Sequence, residues 1–155
     1  MGKHEVSGQE ILNWRKMLLL EGGQAVDLDW LLELGGGFES NSKHRLYLEP
    51  LSKISLQESL DYLSGLWRIH INNHTPLQYL VGSTPWRDFS LDVSPAVMIP
   101  RPETELLIDF AMEKVGSLSV KKWVDLGTGS GALAIALSRS LLGWTGHAVD
   151  CSQDA

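Results

Sequence analysis

The sequence contains almost no cysteine and no long apolar run. Cys151 is the single cysteine among 155 residues, so no internal disulfide can form, and such low usage fits a reducing compartment. No apolar stretch approaches the roughly 20 residues that a membrane-spanning helix needs, and the first residues lack the apolar segment of a signal peptide. These absences favour a cytoplasmic protein without a membrane segment.

The sequence also lacks an excess of basic residues. It carries 13 Lys and Arg against 19 Asp and Glu, which gives a formal net charge of −6. Because binding to nucleic-acid phosphates depends on clustered Lys and Arg, we expect no direct nucleic-acid binding. Hydrophobic residues make up 43% of the chain, which is enough for an ordinary globular core.

Residues 1–75 predict a small helical bundle, and its first two helices lie within residues 8–34. Apolar residues recur there at spacings of three and four, the periodicity of a helix with one buried face. Gly22-Gly23 and Gly35-Gly36-Gly37 are typical helix ends, and Asp27 is the expected N-cap of the second helix. The predicted buried positions are Ile11, Trp14, Leu18 and Leu19 in the first helix, and Leu28, Leu31 and Leu32 in the second, Leu28–Leu34.

A further helix is predicted after a loop over residues 38–54. Ser55-Leu56-Gln57-Glu58 fits a capping box, in which the Ser hydroxyl and the Glu carboxylate accept hydrogen bonds from free N–H groups. The apolar stripe of this helix is Leu56, Leu60, Leu63, Trp67 and Ile71, and it ends before Pro76. His70 and His74 have the spacing of a metal pair, but no third ligand accompanies them, so no metal site is predicted.

Residues 76–101 predict a β-hairpin followed by an extended linker. Alternating residues at Tyr79–Val81 and Phe89–Val93 flank a turn at Gly82–Pro85. Trp86, beside this turn, is a candidate for contact with a partner. Arg101, at the end of the proline-rich linker, fits either a contact to substrate or cofactor or a salt bridge that fixes the linker. Pro102 then begins a helix whose expected packing residues are Leu106, Leu107, Phe110 and Val115.

The last segment, residues 121–155, has the order strand, glycine loop, helix, strand. Trp123–Leu126 and His147–Asp150 are the strands, and Ala132–Leu142 is the helix between them. Parallel strands joined by a helix predict an α/β sheet. Two strands and one helical layer cannot cover both faces of such a sheet, so we expect the domain to be unfinished.

The glycine loop, Gly127-Thr128-Gly129-Ser130-Gly131, carries the strongest chemical signal. Glycines after a buried strand let the backbone approach a ligand closely. Gly127-x-Gly129-x-x-Ala132 also satisfies the dinucleotide fingerprint, and a plain glycine turn is a third interpretation. Asp125 favours S-adenosylmethionine (AdoMet), because its carboxylate suits the cationic ammonium and sulfonium groups and would repel a pyrophosphate. Asp150, at the end of the second strand, is positioned to accept hydrogen bonds from both ribose hydroxyls.

Four segments carry a more specific signal: Pro76–Gly82, Val93-Ser94-Pro95, Ile99-Pro100-Arg101-Pro102-Glu103-Thr104-Glu105, and Val124–Gly131. Together they resemble the HemK/PrmC family, protein-glutamine N5-methyltransferases that modify the Gln of the Gly-Gly-Gln motif in peptide chain release factors. The resemblance implies a class I, Rossmann-like AdoMet methyltransferase domain beginning near residue 102. It also implies that Gly127 to Gly131 and Asp150 bind AdoMet, and that residues 1–75 and the hairpin grip the release factor.

The same resemblance implies an Asn-Pro-Pro-Tyr motif that orients the substrate amide, and no Asn-Pro pair occurs in the sequence. We therefore predict no catalytic residue within this chain, interpret it as C-terminally truncated, and expect it to be inactive alone. Two alternatives stay open: a nucleic-acid amino methyltransferase, and a non-catalytic remnant that binds a release factor. Gly22-Gly23-Gln24 reproduces the substrate triplet, but its position predicts that it ends the first helix.

Overall fold

Helices and small sheets alternate along residues 3–39, 43–116 and 119–155, which the computed structural model describes. In these ranges the protein is a mixed α/β structure with seven α-helices and three two-stranded sheets. The contacts divide the chain into two units, Met1–Val81 and Gly82–Ala155. No helix in the described ranges has the length and apolar character needed to cross a membrane.

The first unit is mainly helical, but it also contains a short sheet. Its elements are β1 (His4–Ser7), α1 (Gly8–Glu21), α2 (Ala25–Trp30), a π-helical turn (Leu31–Gly35), α3 (Lys43–Leu48), β2 (Lys53–Leu56), α4 (Leu60–Asn73) and α5 (Leu77–Val81). β1 pairs antiparallel with β2, with Val6 opposite Ile54. The prediction of helices and loop alone is therefore wrong at these strands. Ile54 and Leu56 are buried between exposed neighbours, which is the period-two pattern of a strand.

The capping box lies at the start of α1 and not at Ser55–Glu58. The Glu10 backbone N–H donates to Ser7 Oγ at 3.2 Å, and the Ser7 backbone N–H donates to Glu10 Oε2 at 2.7 Å. The predicted box at Ser55–Glu58 is wrong because β2 occupies its first two residues. The helix starts later, with Ser59 as its N-cap and its hydroxyl accepting from the Tyr62 N–H at 3.1 Å.

The boundaries of the second helix also differ from the prediction. α2 begins at Ala25 with Gln24 as its N-cap, so Asp27 lies inside the first turn and is not the cap. The helical path then continues through the π-helical turn to Gly35. The predicted loop over residues 38–54 contains α3 and the start of β2, and residues 40–42 lie outside the described ranges.

The core of the first unit confirms most of the predicted apolar stripes, but Leu19, Leu60 and Ile71 are only partly buried. Trp67 is fully buried, and its indole N–H donates to the Leu18 carbonyl at 3.4 Å. The Trp14 indole N–H donates to Ser64 Oγ at 2.9 Å, so the buried polar atom of each indole has a partner. The other buried members are Ile11, Leu28, Leu31, Leu32, Phe38, Leu46, Ile54, Leu56, Leu63, Leu66 and Leu77.

The second unit contains the hairpin and the parallel strands. Its elements are β3 (Ser83–Trp86), β4 (Phe89–Asp92), a 3-10 turn (Pro102–Thr104), α6 (Glu105–Val115), β5 (Lys122–Leu126), α7 (Ala132–Ser140) and β6 (Thr145–Val149). The hairpin is therefore displaced from its predicted position: Tyr79–Val81 lie in α5, and the turn falls at Arg87, where φ is 51°. Pro85 is tolerated in β3 because a two-stranded sheet has only edge strands.

Two predictions of packing in this unit are wrong. Trp86, the candidate for contact with a partner, is instead a core residue: it is 3% exposed, packs against Phe89, and donates its indole N–H to the Arg101 carbonyl at 3.4 Å. Along α6 the buried side chain is Ile108, whereas the predicted packing residues are exposed or only partly covered. Ile108 packs in one cluster with Trp86 and Leu91, and the helical period turns the opposite face outward. The exposed fractions are 54% for Leu106, 54% for Leu107 and 57% for Phe110.

Candidate functional site

The glycine loop follows the carboxyl end of β5 and is tied to the neighbouring strand. β5 and β6 are parallel, with Leu126 opposite Val149. The backbone N–H groups of Gly127 and Thr128 both donate to the Val149 carbonyl, at 2.8 and 3.1 Å. This arrangement fixes the start of the loop beside the end of β6, where ligands bind in parallel sheets.

Both predicted carboxylates contact this loop. Asp150 Oδ2 accepts from the Gly129 N–H at 2.9 Å, and its Oδ1 accepts from the Ser152 N–H at 2.9 Å. Asp125 Oδ2 accepts from the Thr128 hydroxyl at 2.7 Å. The structure therefore brings Asp125, Thr128, Gly129 and Asp150 together through direct hydrogen bonds.

Two backbone hydrogen bonds favour the charged form of Asp150. The Ser152 N–H, followed by the Gly129 N–H, lowers the pKa of the carboxyl below its ordinary value of 3.8, because both donors stabilise the charged form. Each carboxylate oxygen has further acceptor capacity beyond these bonds. The exposed Asp150 side chain is thus an anionic acceptor at the edge of the loop.

The three loop glycines are needed for their backbone conformation. Their φ angles are +76° at Gly127, +53° at Gly129 and +76° at Gly131, a region that side-chain-bearing residues adopt rarely. A Cβ atom at Gly127 or Gly129 would meet nothing within 4 Å. The loop therefore leaves open space along its backbone. Ser130 is half-buried beside it, and the loop leads directly into α7 at Ala132.

A cavity of about 400 Å³ lies against the loop within the second unit. One wall is formed by Gly129, Ser130 and Gly131, and the other by the segment that leaves β4, from Asp92 to Val97. Asp154 and Ala155 also line it. Sequence reasoning missed the β4 wall, because the relevant signal, the Val93-Ser94-Pro95 segment, indicates resemblance but not proximity to the loop.

The charge of this cavity is negative. Asp92 and Asp154 line it, Asp150 bonds the loop beside it, and no Lys or Arg stands among its lining residues in the described ranges. Such a lining attracts cationic groups and disfavours phosphates. The described residues also contain no group of three His, Cys, Asp or Glu arranged to hold a metal ion.

The hairpin that supplies the second wall is tied to both neighbouring helices. Arg87 donates to Asp109 Oδ1 at 3.1 Å on α6. Arg139 of α7 pairs with Asp88, and its guanidinium lies 5.2 Å from the centre of the Phe89 ring. These contacts set the position of β4 relative to α7 and hence relative to the loop.

Comparison with known proteins gives a consistent set of relatives, although no protein-family profile matches the chain. The release factor glutamine methyltransferase of Prochlorococcus marinus is 52% identical over 151 residues, which cover 96% of this chain and 52% of the relative. The protein of the same name from Synechocystis is 40% identical over 165 aligned residues, covering 100% of this chain and 54% of the relative. That of Gloeobacter violaceus is 42% identical over 146 residues, covering 92% and 49%. The chain spans about half the length of the curated relatives it matches.

Proposed function

We propose that this chain serves the reaction of the release factor glutamine methyltransferases, the HemK/PrmC family to which its relatives show that it belongs. In that reaction a methyl group passes from AdoMet to the side-chain amide nitrogen of the glutamine in the Gly-Gly-Gln motif of a release factor. Residues 102–155 are then the opening part of a Rossmann-like methyltransferase domain, residues 1–75 recognise the release factor, and residues 76–101 link the two.

The AdoMet site in this proposal consists of Asp125, Gly127, Thr128, Gly129, Ser130, Gly131 and Asp150. The observation that carries it is the ionised Asp150, bonded to the Gly129 N–H and adjacent to open space above the glycines. Its carboxylate accepts hydrogen bonds from the ribose hydroxyls, and the glycines allow the cofactor to lie against the backbone. Asp125, fixed by Thr128, supplies negative charge for the methionine part of the cofactor.

The charge of the cavity supports AdoMet over a dinucleotide. AdoMet carries an ammonium and a sulfonium group, whereas a dinucleotide carries a pyrophosphate that needs cations or free N–H groups. Among the described residues, the lining of the cavity contains Asp92 and Asp154 and no Lys or Arg. The net charge of −6 likewise weighs against a nucleic-acid substrate.

Methyl transfer to an amide needs more than cofactor binding. An amide nitrogen is a poor nucleophile, so the enzyme must hold it in line with the methyl group and polarise it. The sequence contains no Asn-Pro pair, so we assign no catalytic residue within these 155 residues. The role of this chain in the reaction is therefore cofactor binding and release factor recognition.

Isothermal titration calorimetry with AdoMet tests the cofactor assignment. The chain is expected to bind AdoMet, and Asp150→Asn is expected to weaken binding by roughly tenfold or more, since a charge-assisted hydrogen bond contributes about 1.5–3 kcal/mol. Asp61→Asn, on α4 in the first unit, is the matched control and should leave the affinity unchanged. Equal affinity of both variants would remove the ribose assignment, and binding of NAD in place of AdoMet would favour the dinucleotide interpretation.

A pull-down with a release factor tests the recognition role. Capture of the release factor by this chain, with or without AdoMet, is the expected result. Capture together with methylation of the release factor would contradict the prediction that the chain is inactive alone. Failure of capture would remove the recognition role from residues 1–75.

A further inference from the structure

The loop between α1 and α2 carries Gly22-Gly23-Gln24, the triplet that the proposed function assigns to the substrate. The structure explains both glycines: α1 ends at Glu21, and φ is +124° at Gly22 and +86° at Gly23. These conformations require glycine whatever the function of the loop. The same explanation does not extend to Gln24.

Gln24 does not have the structural role that its position offers. It is the N-cap of α2, yet its side chain makes no capping hydrogen bond. Asn, Asp, Ser and Thr are preferred at an N-cap because their short side chains reach the free N–H groups of the first turn. The Gln24 side chain is exposed and forms no hydrogen bond with any described residue, so its amide nitrogen is available to a partner.

The loop that carries this amide packs against the core of the first unit. A Cβ atom at Gly23 would lie 2.3 Å from the ring of Trp67, which is fully buried, so the loop backbone rests directly on the core. A Cβ atom at Gly22 would meet nothing within 4 Å. On the far side, Val26 is 67% exposed. The backbone at Gly23 therefore packs against the core, whereas the space beside Gly22 is open and the Gln24 side chain is exposed.

From this presentation we propose that Gln24 is a methyl-acceptor site, modified in trans by an AdoMet-dependent glutamine methyltransferase. The inference rests on the proposed function, because it takes the triplet as the recognised substrate. In the step, the bond between the AdoMet sulfur and its methyl carbon breaks while a bond forms between that carbon and Gln24 Nε2. The sulfonium becomes a thioether, and the amide nitrogen loses one proton to water.

Other glutamines of this chain provide internal controls. Gln9, Gln57 and Gln153 are also exposed, and none follows a pair of glycines. If exposure alone governed modification, they would be methylated as readily as Gln24. Gln24→Asn keeps the amide, shortens the side chain by one methylene, and changes an exposed residue, so it is expected to fold normally.

The test incubates the whole chain with the Synechocystis release factor glutamine methyltransferase and AdoMet, followed by peptide mass spectrometry. A release factor in a parallel reaction reports that the enzyme is active. We expect the mass increase of one methyl group on the peptide containing Gln24, at least tenfold above the three control glutamines, and its loss in Gln24→Asn. An unmethylated Gln24 beside a methylated release factor would overturn the proposal, as would equal methylation of the controls. AdoMet binding by this chain is measured separately, so failure of the proposed function is distinguished from failure of this inference.

Discussion

Gly23→Ala is the substitution for which the structure sets the clearest expectation. The added Cβ would lie 2.3 Å from Trp67 Cζ2 and 2.7 Å from Cη2, distances that real Cβ contacts do not reach. Trp67 is 0% exposed, and its indole N–H is bonded to the Leu18 carbonyl. Because the ring is fully buried between the core and the loop, relieving the overlap must displace one of the two.

The expected cost has two parts. A side chain in a sparsely populated positive-φ conformation costs about 1–3 kcal/mol, and overpacking a well-filled core costs typically about 1–3 kcal/mol more. Gly22→Ala is the matched control, because φ is +124° at Gly22 but its Cβ would meet nothing within 4 Å. Gly22→Ala should therefore lose only the stability that the unfavourable backbone conformation costs, without the overpacking cost. Since a small domain has about 5–15 kcal/mol of stability in total, the difference between the two variants is measurable.

Urea unfolding followed by far-UV circular dichroism measures this difference. With a urea dependence of about 2 kcal/mol per M, the middle of the usual range, the overpacking part should lower the midpoint of Gly23→Ala by roughly 0.5–1.5 M relative to Gly22→Ala. Hydrogen exchange with mass spectrometry assigns the loss to the segments around Trp67. Equal midpoints for the two variants would refute the reasoning, because they would mean that Gly23 does not rest on the buried ring.

Two further predictions concern caps and titration. Ser7→Ala should destabilise the first unit by about 1 kcal/mol in urea unfolding, because it removes the two hydrogen bonds of the Ser7 hydroxyl, from the Glu10 N–H and to Glu10 Oε2, and leaves only the backbone half of the capping box. Ser59→Ala, which removes a single capping bond, should cost less. The pKa of Asp150 lies below 3.8 in the folded protein, so its contribution to stability is present above that pH and is lost as the pH falls through the folded pKa. An NMR titration should place the carboxyl midpoint below 3.8 and show the Gly129 and Ser152 amide signals moving with it; a midpoint at or above 3.8 would contradict the hydrogen bonds.

Helical stripes were predictable from sequence because they depend on neighbouring residues. Ile11, Trp14 and Leu18 are buried as the spacing of three and four predicts, and α1 ends at the glycine pair. The β1–β2 sheet was not predictable in this way. Each strand has four residues, and His4 pairs with Leu56, so no local pattern records the partner. A four-residue alternation becomes a strand only when a second strand is placed beside it.

The candidate site likewise has a local part that the sequence predicts and a part formed by distant residues that it does not. The strand, loop and carboxylates come from one continuous segment, and the structure places Asp125, Gly129 and Asp150 together as a local unit. The opposite wall comes from the end of β4, which reaches the loop through the packing of the hairpin on α6 and α7. That packing depends on contacts such as Arg87 with Asp109, between residues distant in sequence, which periodicity does not report.

For β5, the sequence predicts the strand correctly but does not predict how far its side chains are exposed. The apolar run at Trp123–Leu126 predicts a strand, and the strand forms, with Trp123 lying across Gly146 so closely that a Cβ there would be 2.0 Å from the ring. Strands of parallel sheets are ordinarily covered on both faces, yet Val124 is 57%, Leu126 74% and Val149 50% exposed among the described residues. Hydrogen bonding to β6 is satisfied by a single neighbouring strand, whereas burial requires helices on both faces and strands on both edges. Pairing with β6 therefore accounts for the formation of β5. Its apolar sequence is typical of a strand buried on both faces, but the described part of the second unit does not bury its side chains to that extent.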